Sequence, residues 1–254
     1  MNHLGVDVGG SGVKGALVDT STGELVGERV RIATPQPATP GAVAGVVASL
    51  SACWPPGAEG VEPSFGCTVP GVVKGGLIRT AANIDSQWLG CDAAALYGEA
   101  AGRPCRVIND ADAAGLAEMR FGAGKDRPGT VAMVTLGTGI GTSLFVDGML
   151  VPNTELGHLE MDGRDAELLA SGAVRDVEHL GWKDWAKRVD RYLCHFNRLV
   201  WPDLLILGGG VSRKADKFLH YLKVEVEVVP ARLRNEAGII GAALLASGAA
   251  APVV

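Results

Sequence analysis

Asn109 and Asp110 stand where a segment that reads as a strand, Cys105 to Ile108, gives way to the helix expected from Ala111 to Met119. A carboxylate at such a strand-to-helix junction lies where α/β folds usually do their chemistry. Glycine-rich segments lie on both sides of it, Val6-Asp7-Val8-Gly9-Gly10-Ser11-Gly12-Val13-Lys14 upstream and Leu136-Gly137-Thr138-Gly139-Ile140-Gly141 downstream. Bare glycine backbone lets N–H groups come close to phosphate oxygens. One candidate base between two phosphate-receiving turns suits transfer of a phosphoryl group to an alcohol, with Asp110 accepting the hydroxyl proton. Taken alone, Asn109 and Asp110 would serve equally well as the cap of the helix that follows.

Other groups belong to the same chemistry. Asp7, just before the first turn, is placed to hold Mg²⁺ directly or through water. Lys14 stands near the same phosphates, although a strand lysine is more often simply solvated. Gly208-Gly209-Gly210 is a third glycine turn, again after an apolar run. Glu155-Leu156-Gly157-His158-Leu159-Glu160 sets a carboxylate and an imidazole three residues apart across a glycine. Convergent donors and acceptors of that kind are what a polyhydroxylated sugar needs. A metal held by His158 with Glu155 or Glu160 is a competing reading, and an ordinary surface turn is a third.

These groups must be positioned by strands and turns. Leu4 to Val8, Val13 to Asp19 and Leu25 to Ile32 read as strands joined by tight turns at Gly9–Gly12 and Ser21–Gly23. Gly10 to Gly15 formally matches the dinucleotide fingerprint G-x-G-x-x-G. That fingerprint needs a crossover helix, and the short segment before Ser21 favours a strand, so a hairpin is expected instead. No GxxxxGK[ST] loop is present. Pro35 to Pro40 is a stiff connector, Gly41 to Ala52 a helix, and Phe65 to Val73 a further strand.

A second beginning follows, with strands at Val131–Leu136 and Thr142–Val146 around the turn Gly137–Gly141. Sliding the chain so that Gly9 falls on Gly137 also lays Val18 on Val146 and Asp19 on Asp147, as a duplicated half-domain would. A helix over Trp182–Leu199, a buried strand over Leu204–Leu207 and a last helix from Ala237 to about Leu245 complete the pattern. Two α/β domains flanking a cleft are expected: a smaller one from residues 1–109 with 237–254, and a larger one from 110–236.

Composition narrows the class. The chain has 254 residues, 47% hydrophobic and 20% charged, which is ordinary for a globular protein with a real core. A formal net charge of -5 disfavours nucleic acid as a partner, though not a local basic groove. Five scattered cysteines without a CxxC pair fit a reduced, cytoplasmic protein without structural zinc. No secretory signal is visible. The apolar segment from Gly238 to Val254 is shorter than the roughly 20 residues of a membrane span, so a buried C-terminal helix is expected and no membrane role.

Together these residues resemble the ROK family (repressors, open reading frames, sugar kinases), which implies the actin-like ATPase, or ribonuclease H-like, fold. Asp7-Val8-Gly9-Gly10-Ser11 looks like the family's first phosphate loop, with Gly12 and Lys14 beside it. Gly137, Thr138 and Gly139 look like the second loop, and Gly209 and Gly210 like the nucleoside-side turn. Asn109 and Asp110 match the sugar-binding Asn and the catalytic Asp, and Glu155 and His158 match the sugar-binding Glu-x-Gly-His. Glu167 falls near the place of a later sugar-binding glutamate, and Asn83, before Trp88, resembles a sugar-side Asn. The cysteine-rich zinc site common in the family is missing after His158, so no zinc is expected. The phosphate loop begins within ten residues of Met1, where the repressor branch carries a DNA-binding module, so a DNA-binding role is disfavoured.

Thr34–Pro40, Thr68–Val73, Arg79–Asp85, Asn109–Glu118, Pro152–His158 and Val211–Phe218 extend the likeness to the polyphosphate-using glucokinases within the family. That likeness implies transfer from inorganic polyphosphate, and often ATP, to the 6-hydroxyl of D-glucose, sometimes of mannose, with Mg²⁺, in a homodimer. Polyphosphate needs a basic path. Lys14, Lys74, Arg79, Lys125, Arg213, Lys214 and Lys217 are candidates, of which Arg213-Lys214 is the densest, with Lys217 close behind it in sequence, unless they form a solvated helix start. The alternatives are a strictly ATP-dependent hexose kinase, a sugar-sensing regulator without catalysis, and a metal-dependent sugar-phosphate hydrolase.

Overall fold

The structure is a computed structural model that describes residues 1–58, 60–81 and 84–248. Its backbone divides into two compact units, one formed by the chain up to Ala117 with the C-terminal helix from Glu236, the other by Glu118–Asn235.

In the first unit β1 (Asn2–Gly9), β2 (Gly12–Asp19) and β3 (Glu24–Ile32) form an antiparallel meander. The helix α1 (Pro40–Ala52) follows, with Pro40 in its first turn and the Thr39 side chain accepting from Ala42 N. Then come β4 (Val61–Val69), a small hairpin of β5 (Val73–Lys74) and β6 (Leu77–Ile78), α2 (Ala93–Ala101), β7 (Cys105–Asn109) and α3 (Asp110–Phe121). The strand expected over Phe65–Val73 therefore ends at Val69. Pro70 has no N–H to give to a ladder, and Val73 starts the separate hairpin.

The second unit repeats the plan with β8 (Thr130–Leu136), β9 (Ile140–Val146) and β10 (Met149–Val151). A hairpin of β11 (Glu160–Met161) and β12 (Arg164–Asp165) leads to α4 (Glu167–Ala170), α5 (Gly172–Val177) and α6 (Trp182–Val200). The chain continues through β13 (Leu204–Gly208), a 3-10 segment over Gly210–Lys217 and β14 (Glu227–Pro230). Finally α7 (Ala237–Ser247) returns to the first unit. On α6 the buried residues Trp185, Ala186, Val189, Tyr192, Leu193 and Phe196 recur at helical spacing and form one face of that unit's core.

Among the described residues the large sheets have the orders β3-β2-β1-β4-β7 and β10-β9-β8-β13-β14. Their strand senses agree as well: β1, β4 and β7 are parallel, as are β8, β13 and β14, while the meander strands are antiparallel. The low-identity internal repeat is thus a repeat of topology. One detail differs: β1 and β2 close at Gly9 opposite Gly12, whereas β8 and β9 close at Leu136 opposite Ile140, so the second turn is one residue longer. Because β2 is an antiparallel partner of β1, Gly10–Gly15 is a hairpin and no dinucleotide fingerprint.

The apolar C-terminal segment, as far as Ser247, is buried against the first sheet as α7, and residues 249–254 lie outside the described residues. Added Cβ atoms on Gly5 and Gly66 would lie 2.0 Å from Ile239 O and 1.8 Å from Ala242 O, and one on Gly241 would lie 1.8 Å from Ala113 O. The helix backbone therefore touches β1, β4 and α3 directly. Among the described residues no helix is long and apolar enough to cross a membrane.

Candidate active site

Parallel strands deliver their C-terminal ends to one edge of a sheet, and in the first unit these ends carry Asp7–Gly9, Thr68–Val69 and Asn109. Asn109 is buried. Its Oδ1 accepts from Ala111 N at 2.8 Å and Asp112 N at 3.1 Å, and its Nδ2 donates to Gly71 O at 3.2 Å. Asn109 therefore does cap α3, and none of these bonds uses its second Nδ2 hydrogen. Half-buried Asp110 begins α3, and its Oδ1 accepts from Ala111 N at 2.9 Å. The cap thus fixes the place of the carboxylate that the sequence marks as base. Asn83 lies outside the described residues.

Beside them the first glycine turn is braced from β3 and the connector. Thr34 Oγ1 donates to Gly9 O at 2.5 Å and Arg31 Nη2 to Ser11 O at 2.6 Å. Gly10 and Ser11 are exposed at the tip, while a Cβ on Gly12 would lie 2.6 Å from the Arg31 guanidinium. A cavity of about 280 Å³ adjoins this turn, lined among others by Gly9, Gly10, Gln36, Pro70, Asp85 and Trp88. Trp88 Nε1 donates to Ala38 O at 2.9 Å and so holds the proline-rich connector in place as one wall.

Lys14 is directly opposite Asp7 in the ladder, and its Nζ lies 3.2 Å from Asp7 Oδ2. It is therefore paired and not merely solvated. Asp7 Oδ1 accepts from Thr68 Oγ1 at 3.2 Å, and the same buried hydroxyl accepts from Val8 N at 2.9 Å. With both oxygens engaged, a lone carboxylate of this kind fits Mg²⁺ through the ion's own water better than direct ligation. Mg²⁺ sheds water reluctantly and usually keeps several waters.

In the second unit the strand ends bring other turns together. Gly209 packs so closely on the end of β8 that a Cβ there would lie 2.5 Å from Leu136 O, and its φ of 80° suits glycine. Gly137, Thr138, Gly210 and Lys214 line one cavity of about 530 Å³ with Arg175 and Trp182. Gly139 closes the second turn, its carbonyl accepting from Gly137 N at 3.0 Å. Of the expected basic path, Lys214 lines this cavity and Lys217 Nζ lies 6.0 Å from the Trp182 ring. Arg213 is exposed and is not part of its lining. Lys74, Arg79 and Lys125 are exposed residues elsewhere in the chain.

The segment Glu155–His158 is pinned next to the same turn. A Cβ on Gly157 would lie 2.0 Å from Ile140 O, so only glycine fits between the carboxylate and the imidazole. Glu167 Oε2 accepts from Ile140 N at 3.3 Å, which brings Glu167 to this segment. His158 Nε2 lies 3.6 Å from Glu155 Oε2, and its Nδ1 lies 2.8 Å from Asp165 Oδ2. The hydrogen bond to Asp165 leads the causes that push the His158 pKa up, with nearby carboxylate charge adding to it. Burial pushes the Glu155 carboxyl up, and the His158 charge opposes the shift. One ligand atom from each of His158, Asp165 and Glu167 lies within 4.8 Å of the others, a set different from Glu155 or Glu160 with His158.

Thr68, Arg31, Asp165 and Arg175 are the site residues that sequence reasoning missed. For Asp165 a signal existed. Asp162-Gly163 between Met161 and Arg164 is a two-residue hairpin loop, with φ of 54° and 73° at its two residues. Recognising it would have folded Asp165 back toward His158. Nothing local marks the other three.

The model of the ROK family matches residues 3–180. A polyphosphate glucokinase of Mycobacterium tuberculosis is 49% identical over 242 residues, 95% of this chain and 89% of that protein. The crystal structure of an inorganic polyphosphate/ATP-glucomannokinase from Arthrobacter sp. strain KM superposes with a TM-score of 0.93 at 48% identity, covering 98% of this chain and 99% of that one. A ROK family glucokinase from Streptomyces griseus, in complex with glucose and AMPPNP, shares the fold at 24% identity with a TM-score of 0.80, over 98% of this chain and 100% of that one.

Proposed function

The chain belongs to the ROK family and has its actin-like ATPase fold, and from that footing we propose that it transfers the terminal phosphoryl group of inorganic polyphosphate to the 6-hydroxyl of D-glucose. ATP serves as a second donor, and mannose, which differs at one hydroxyl, as a second acceptor. The likeness along nearly the whole chain to a polyphosphate glucokinase carries the proposal, and the site residues supply a way to do the chemistry.

Asn109, Glu155, His158 and Glu167 bind the sugar hydroxyls, Asn83 adds a further contact, and Asp110 meets the 6-hydroxyl. The glucose O6–phosphorus bond forms as the bridging P–O bond of the donor breaks. The O6 proton passes to the Asp110 carboxylate, and the shortened polyphosphate leaves with the bond's electrons. The transition state is loose, so positioning and charge neutralisation do most of the work. The glycine turns at Gly9–Gly12 and Gly137–Gly139 offer backbone N–H groups to the phosphate oxygens, with Gly209 and Gly210 beside the second turn and Lys14 beside the first. Mg²⁺, when bound, neutralises charge on the donor phosphates, and Asp7 would hold it through water.

The test is formation of glucose 6-phosphate by the purified protein with polyphosphate, ATP or no donor. Product with polyphosphate is expected. Product with ATP alone would make the chain a strictly ATP-dependent hexose kinase, and glucose binding without product under every donor would make it a sugar sensor.

A further inference from the structure

Arg175 sits beside the second phosphate turn because its helix is anchored there. Ala173 N donates to Gly137 O at 2.9 Å, and a Cβ on Gly172 would lie 3.2 Å from both Leu136 O and Gly137 O. The Arg175 guanidinium carbon lies 3.8 Å from the centre of the Trp182 ring. Trp182 is fixed in turn by Phe218, stacked at 6.0 Å and 13°, and by Trp185, edge-on at 5.8 Å. Arg175 Nη1 reaches the exposed Asp176 at 2.7 Å, whereas its buried Nε has no hydrogen-bond partner among the described residues.

We propose that this cavity holds the phosphates that lie behind the transferred one, and that Arg175 favours a phosphate chain over a nucleoside tail. The inference rests on the polyphosphate-using phosphotransferase proposed above. Two physical points carry it. A purine is commonly held by stacking on an aromatic face, and here a guanidinium already lies over the indole that lines the cavity. A phosphate chain instead repeats negative charge along its length. A guanidinium forks onto phosphate oxygens with two parallel bonds, and stacking on Trp182 has already ordered it. Lys214, in the lining of the same cavity, supplies a second cation. Asp176 is the opposing charge: it draws on Arg175 and repels the chain.

Steady-state kinetics of the whole protein, with polyphosphate and with ATP at fixed glucose and Mg²⁺, tests this. Arg175→Gln should raise the KM for polyphosphate about tenfold, the size of one lost charge-assisted bond, and the KM for ATP by clearly less. Asp176→Asn should lower the KM for polyphosphate about threefold, a gain that misfolding cannot imitate. The preference of the wild type for polyphosphate should also weaken with added salt more steeply than that of Arg175→Gln. Equal losses for both donors in Arg175→Gln, or an unchanged polyphosphate KM in Asp176→Asn, would overturn the inference. A wild type unable to use polyphosphate would instead overturn the proposed function itself, before any variant is made.

Discussion

His158 is held between two carboxylates, with Nδ1 2.8 Å from Asp165 Oδ2 and Nε2 3.6 Å from Glu155 Oε2. The imidazole is thereby aimed by a residue on the far arm of a hairpin. Asp165 settles which ring nitrogen is engaged by the protein and which faces Glu155.

A pH dependence follows from the raised His158 pKa. Stability contributed by a group whose folded pKa is raised is fully present below its unfolded value, near 6.5, and is lost as pH rises through the folded pKa. Asp165→Asn removes the leading cause of the shift. The difference in melting temperature between wild type and Asp165→Asn should be larger at pH 6 than at pH 9, as read from thermal melts in matched buffers. The same variant should raise the glucose KM by about three- to tenfold, the size of one hydrogen bond.

Asp110→Asn keeps the size of the side chain and removes its capacity to take a proton. Turnover should fall by about two to four orders of magnitude, while glucose binding measured by calorimetry stays near that of the wild type. Retained turnover would take the base role away from Asp110.

Asp7→Asn preserves an acceptor for the Thr68 hydroxyl but removes the charge that faces Lys14. The Mg²⁺ concentration giving half-maximal rate should rise about tenfold, and chelation of Mg²⁺ should abolish turnover in both proteins. An unchanged Mg²⁺ requirement would place the ion elsewhere.

Glu118 is fully buried, and its two carboxylate oxygens accept from Ala123 N and Leu233 N, each at 2.7 Å. Glu118→Ala would strand both N–H groups, so a loss of about 2–4 kcal/mol is expected in urea unfolding. Because both hydrogen-bond partners of Glu118 lie outside the glycine turns, the KM values of the folded fraction should change little.

Much of this protein was legible in its sequence because the signals are local. A glycine turn between two apolar runs specifies a hairpin, since strand periodicity and permissive backbone are written in adjacent residues. Asp110 and the Glu155–Gly157–His158 spacing were visible for the same reason. Even the duplication could be read, as an order of strand, turn and strand, although its one-residue difference in turn length emerged only from the ladders. Tertiary structure decided which side chains meet. Thr68 reaches Asp7 across two parallel strands, Arg31 covers a turn that precedes it by twenty residues, and Asp165 folds back onto His158. It also decided that Asn109 spends its oxygen on capping α3 and that Arg175 rests on Trp182. Contacts of this kind depend on strand order and helix packing, which no local pattern encodes. The sequence by itself marked the candidate reacting groups, and the fold determined what holds each of them in place.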